Sequence, residues 1–232
     1  MKKRYIAIII ILLAMASLSI YYANDYSRAD SEALKYLNGS ENVSISKVSN
    51  GVFLDGQGND TAVIFYPGAK IEYTSYLPLM NDLALKGVDS YIVEMPLNLA
   101  FLGTNSADDI IKNSNYSHYV LVGHSLGGYA ASDYCANHDV DALVLLAGYS
   151  NKEIDIPVLS IYGSNDKALN MDTYNDSKVY YKNFTEHIIQ GGNHAQFANY
   201  GPQKGDGEAT INSTQQQNET ANEIIKFIDS LF

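Results

Sequence analysis

The pentapeptide Gly123-His124-Ser125-Leu126-Gly127 constrains this 232-residue chain more than any other feature. It follows the apolar run Tyr119-Val120-Leu121-Val122 and leads into a helix-forming run over 128–136. A strand, a G-x-S-x-G turn and a helix together make a nucleophile elbow. The turn is so tight that larger side chains two residues before or after the serine would strike the neighbouring strand and helix, so Gly123 and Gly127 are required there. The strained serine is pushed into the open, with the first helical N–H groups aimed at the same spot. His124 sits inside the turn and is expected to pack it.

A hydroxyl becomes a useful nucleophile only when a base takes its proton and a carboxylate holds that base. After an elbow of this kind the partners follow in the chain order Ser, Asp or Glu, His. The run Ile156-Pro157-Val158-Leu159-Ser160-Ile161-Tyr162 predicts a buried parallel strand ending in the turn Gly163-Ser164-Asn165-Asp166, which makes Asp166 the candidate acid. A plainer role for Asp166 is to form the turn by capping its own backbone. Asp172 and Asp176 fall in a helical stretch and are expected to be solvated. Of the five histidines, His194 is the candidate base, because it follows the strand 185–190 and the loop Gly191-Gly192-Asn193. His187 lies inside that strand, His118 opens the elbow strand, and His138 ends the elbow helix, where a cationic ring suits the helix dipole. The developing oxyanion needs two backbone N–H groups. Leu126, directly after the serine, supplies one. The loop Pro67-Gly68-Ala69-Lys70, after the strand 61–66, supplies the other, with Ala69 as the expected donor. Lys70 is expected to be solvated.

The elbow, the strand ending in Gly-Ser-Asn-Asp and the stretch Gly191-Gly192-Asn193-His194-Ala195-Gln196-Phe197 resemble the α/β-hydrolase superfamily. Within it, the chain is similar to a small carboxylesterase-like group of single-domain hydrolases, often found behind a membrane anchor. Phe65-Tyr66-Pro67-Gly68-Ala69-Lys70, Glu94-Met95-Pro96-Leu97-Asn98-Leu99-Ala100 and Tyr200-Gly201-Pro202-Gln203-Lys204-Gly205-Asp206-Gly207 carry the same resemblance. It implies a hydrolase fold and a Ser125–Asp166–His194 triad, and little about substrate. It gives the 201–207 stretch no chemical role; the default is a structural loop near His194.

The rest of the chain agrees. A hairpin is expected over 43–48 and 51–54. Helices are expected near 76–86, 107–113, 171–182 and 217–231, and strands at 90–94 and 141–146. This alternation predicts an α/β fold with a mostly parallel central sheet covered on both faces. The 41 residues from Ser125 to Asp166 already hold a helix and two strands, leaving no room for an inserted lid domain. An open site follows, unless the segments 97–103 or 201–207 cover it.

Lys2-Lys3-Arg4 precedes an uncharged, mostly apolar run of 19 residues, Tyr5 to Ala23. A helix of that length is near what crosses a hydrocarbon core, and the basic cluster places the N-terminus in the cytoplasm and the domain outside. The rival is a cleaved signal peptide, for which Ala14-Met15-Ala16 offers a site. Three segments follow: an anchor or signal over 1–26, a linker over 27–42 and a catalytic domain over 43–232. Setting aside the three basic anchor residues leaves 12 basic against 26 acidic, which excludes nucleic acid as an electrostatic partner. The lone Cys135 forms no internal disulfide and reads as a small packed residue. No Cys/His cluster or phosphate loop appears, so neither metal nor cofactor is expected.

The expected activity is hydrolysis of a small-molecule or lipid-like carboxylic ester through an acyl-enzyme on Ser125. Acyl transfer to a surface lipid or glycan, and a non-catalytic membrane-tethered binding domain, are the alternatives. Thioesterase and peptidase chemistry use the same three residues, and oligomeric state is not legible.

Overall fold

A computed structural model describes residues 2–58 and 60–232. The described residues form one eight-stranded sheet, with spatial order β1-β2-β4-β3-β5-β6-β7-β8. The strands are β1 (Ser44–Val48), β2 (Gly51–Asp55), β3 (Thr61–Tyr66), β4 (Asp89–Val93), β5 (His118–His124), β6 (Ala142–Leu146), β7 (Ile154–Gly163) and β8 (Tyr181–Ile189). The β1–β2 hairpin is antiparallel and joins β4 antiparallel. From β4 through β8 every pairing is parallel.

The parallel strands read as unbroken apolar runs because both faces are covered. Along β3, Val63 and Phe65 join one core with α3 (Leu77–Leu85) and α7 (Ser213–Asp229), where Leu77, Leu83, Ile224 and Ile228 are buried. The alternate residues Ala62, Ile64 and Tyr66 join a second core with α4 (Ala107–Asn113) and α5 (Leu126–Cys135), containing Ile110, Ala130 and Tyr134. Cys135 packs in this second core, and its burial pushes the thiol pKa up. β6 and β7 are joined by residues 147–153 alone, with no inserted domain.

Two boundaries differ from expectation. The helix expected over 171–182 is α6 (Met171–Ser177) and a single 3-10 turn; β8 begins at Tyr181, whose ring is buried and whose hydroxyl accepts from Ser150 N–H at 2.8 Å. The last helix begins at Ser213 rather than 217, because Asn212 and Gln215 form a reciprocal capping box.

At the N-terminus, α1 (Lys2–Asn24) contains a 21-residue span, Arg4–Asn24, of mean hydropathy 2.4, none of it buried by the rest of the chain. It is long and apolar enough to cross a membrane, as an anchor or a signal sequence would be. The side chains of Lys2 and Lys3, on which the orientation expectation partly rests, lie outside the described residues. Residues 27–42 run along the domain. Ser27 bridges Ile71 in a parallel pairing, Asp30 caps the short helix α2 (Ser31–Leu34), and Ala33 is fully buried.

Candidate active site

The carboxyl ends of β3, β5, β7 and β8 bring the sequence-selected residues to one edge of the sheet. Ser125 leaves β5 with φ 53° and ψ −119° and caps α5. Positive φ at a serine costs on the order of 1–3 kcal/mol, and the surroundings enforce it. A Cβ at Gly123 would lie 2.4 Å from the Gly127 carbonyl oxygen, and one at Gly127 would lie 2.0 Å from that of Tyr66. The elbow can therefore close only with glycine at both places, wedged against the end of β3. Ser125 N–H is held by Leu146 C=O at 2.9 Å, and Ser125 C=O accepts from Gly128 at 3.0 Å. The side chain stays partly open, at the mouth of a cleft of about 250 Å³.

His194 lines the same cleft. Its Nδ1 lies 2.8 Å from Asp166 Oδ2, and both side chains are almost wholly withdrawn from water, at 4% and 1% exposed. The other oxygen, Asp166 Oδ1, accepts from Ala168 and Leu169 N–H at 2.8 Å each. The turn-capping role and the histidine-holding role weighed for Asp166 thus coexist, one on each oxygen. The remaining histidines lie in other settings. His187 Nε2 meets Glu219 at 2.8 Å, His138 stacks on Tyr134, and His118 stacks on Phe232.

His124 packs the turn as expected and does more. It is fully buried, with Nδ1 2.7 Å from the Tyr76 hydroxyl, which itself accepts from Gly68 N–H at 3.0 Å. The Tyr76 hydroxyl and His124 Nδ1 share one hydrogen bond inside the core. Burial, reinforced by the nearby His194, drives the His124 pKa well below its ordinary value. Sequence reasoning missed Tyr76, which ties the elbow to the loop after β3; no local pattern marks it.

That loop presents three successive amides. Gly68 N–H goes to Tyr76, and Lys70 N–H goes to Asn98 C=O at 2.7 Å. Among the described residues no hydrogen bond is made by the Ala69 N–H between them, and Ala69 is exposed. The Leu126 N–H stands in the first turn of α5, where helical amides have no intrahelical partner. Lys70 differs from the solvated side chain expected. Its Nζ donates to Tyr22 C=O at 2.6 Å and lies 3.4 Å from the Tyr22 ring centroid. The cleft is lined by Leu126, Tyr129, Tyr149 and Leu169 among others, and by no residue of 97–103 or 201–207. The described residues contain no group of three or more His, Cys, Asp or Glu able to hold a metal ion.

A serine on a strained strand-to-helix turn, beside a buried Asp–His pair at the carboxyl edge of a parallel sheet, is the arrangement of the α/β-hydrolase fold. The sequence profile of the alpha/beta hydrolase family matches residues 62–218, and the chain belongs to that family. No curated protein matches it. Among solved structures it is similar to a membrane phospholipase A described as a bacterial virulence factor (TM-score 0.63, 14% identity, 99% of each chain covered). It is likewise similar to a "predicted CIB-like hydrolase" of Thermoplasma acidophilum (TM-score 0.61, 13% identity, 82% of this chain and 98% of that one). A third is Est1E of Butyrivibrio proteoclasticus with bound ferulic acid (TM-score 0.59, 13% identity, 79% and 94%).

Proposed function

We propose that this protein is a serine hydrolase that cleaves carboxylic esters, held at a membrane by α1 with its catalytic domain outside the cytoplasm. The observation that carries the reading is the buried 2.8 Å His194–Asp166 pair opening on the same cleft as the strained Ser125. Ser125 Oγ attacks the ester carbonyl. His194 Nε2 takes the proton and returns it to the leaving alcohol, while Asp166 fixes the His194 tautomer and stabilises the imidazolium. The Leu126 and Ala69 N–H groups hold the oxyanion. Water then attacks the acyl-enzyme, with His194 again as base, and frees the acid.

The cleft, about 250 Å³ and open to the surface, suits a small or surface-presented acyl group. The tether supports an ester presented at the bilayer surface. Lys70, one residue past the proposed oxyanion donor, caps the end of α1 through Tyr22, and Ser27 N–H bonds to Lys70 C=O at 2.7 Å. The helix α1 therefore ends against the loop that carries the proposed oxyanion donor Ala69. The test is turnover of p-nitrophenyl esters from acetate to palmitate, for the full chain in vesicles and for a form starting at Ser27. Both forms should prefer the shortest acyl groups, and vesicle-borne esters should be cut efficiently only by the full chain. Equal rates of the two forms on vesicle-borne esters would remove the membrane part of the reading, and no turnover of any ester would remove the esterase itself.

A further inference from the structure

Asp166 and His194 stand 28 residues apart, on turns after the paired strands β7 and β8, and Asn165 N–H to Gly192 C=O at 2.9 Å and Gly191 N–H to Ser164 Oγ at 2.8 Å already tie those turns together. A strap formed by residues 206–208 adds a second set of ties, made at the residues that flank the acid and the base themselves. Asp206 Oδ2 accepts from Ala195 N–H at 2.9 Å, and Asp206 Oδ1 accepts from Lys167 N–H at 3.3 Å. These are the residues directly after His194 and directly after Asp166. Gly207 C=O then accepts from Asn193 Nδ2 at 2.8 Å, and Glu208 C=O from Asn165 Nδ2 at 2.9 Å. These are the residues directly before His194 and directly before Asp166. Three successive residues thus grip both turns on both sides of the acid and the base. The approach is close enough that a Cβ on Gly207 would fall 1.8 Å from the Asn165 carbonyl oxygen.

We propose that Asp206 is a positioning residue that sets the Asp166–His194 geometry without touching substrate. The proposal rests on the reading of Ser125, Asp166 and His194 as the reacting set. Asp206 can bridge because an ionised carboxylate has two oxygens that only accept, and each faces a backbone N–H that only donates. Its Oδ1 is further aimed by Gly207 N–H at 2.7 Å. An asparagine would turn one NH2 group toward an N–H and lose one side of the bridge. A misplacement near 1 Å far from the reacting atoms is enough to cost about a hundredfold in rate.

The experiment uses the full chain in detergent, with a soluble short-chain ester, and the variants Asp206→Asn, Asp206→Ala, Asp166→Asn and the doubles of Asp166→Asn with each Asp206 change. Melting temperature is read beside kcat and KM. Asp206→Ala is expected to lower kcat by about 10- to 100-fold with KM within about twofold, and Asp206→Asn by less. In the Asp166→Asn background, either Asp206 change should cost less than about twofold more, because the geometry it maintains is already without use. Unchanged kcat in both single variants would overturn the proposal. So would losses that multiply with Asp166→Asn, which a merely structural role produces. If Asp206→Ala does not fold, Asp206→Asn carries the same comparison. Loss of the Ser125 mechanism itself is recognised separately, by a Ser125→Ala variant that keeps its turnover.

Discussion

The two halves of the site are built by different means. On the serine side, Ser125 is positioned chiefly by steric exclusion. Two glycines within two residues and a contact with the end of β3 leave the chain one way to turn. On the Asp–His side, Asp166 and His194 are positioned by the pairing of β7 with β8 and by hydrogen bonds from further along the chain. The strap at 206–208 and the Gln216 side chain of α7 hold the turns; Gln216 accepts from Asn193 N–H at 3.0 Å and donates to Asn193 C=O at 2.7 Å. One half is held chiefly by steric exclusion, the other chiefly by polar contacts. The first should fail abruptly when a methyl group is added, the second by degrees as single bonds are removed.

Gly127→Ala should therefore be the more damaging change. Its methyl meets backbone rather than a movable side chain, and urea unfolding should show a loss of about 3 kcal/mol or no folded protein at all. Gln216→Leu is milder. It strands one buried donor and one buried acceptor of Asn193 and should cost about 2 kcal/mol, with the elbow intact. A Gly127→Ala variant as stable as Gln216→Leu would break the distinction.

The effect confined to acid pH, and absent at neutrality, belongs to His124, which joins the halves. Its folded-state pKa lies well below the ordinary 6.5, because burial and then the neighbouring His194 disfavour the cation. Above pH 6.5 neither the folded nor the unfolded chain holds this proton, and stability is unaffected. Below it the unfolded chain binds a proton that the folded chain refuses, so stability falls as pH falls, by about 1.4 kcal/mol per unit from this group. His124→Gln should remove that part of the slope between pH 6.5 and about 5, measured as the difference between the two unfolding curves. Equal slopes would mean that His124 takes up a proton in the folded chain.

The same contrast explains what could be read in the sequence. The elbow lies within nine consecutive residues of special composition, and the strands before Asp166 and His194 end in recognisable turns, so these residues and most strand limits were legible. The 107–113 helix and the 61–66 strand coincide with expectation. Asp206 was not legible because its partners are backbone amides 39 and 11 residues away, and every residue but proline offers an amide. Tyr76 was hidden for a similar reason: its hydroxyl meets His124 across 48 residues. The start of α7 was misplaced because its first turn, Ser213 to Gln216, is polar and follows a Gly-rich stretch, although Asn212 and Gln215 have capping-box spacing. The end of the 171–182 helix differs because no glycine or proline marks the stop at Ser177, and a 3-10 turn leads directly into the edge strand β8.

The proposed esterase requires Ser125 to be an activated nucleophile served by His194. The most direct measurement is labelling of the folded chain with a fluorophosphonate, with the modified residue located by mass spectrometry, beside Ser125→Ala, His194→Ala and His187→Ala. The account predicts a single adduct on Ser125, lost in Ser125→Ala, slowed on the order of 10³-fold or more in His194→Ala, and unchanged in His187→Ala. Wild-type protein that is folded yet unlabelled, or labelling that survives His194→Ala at full rate, would contradict it.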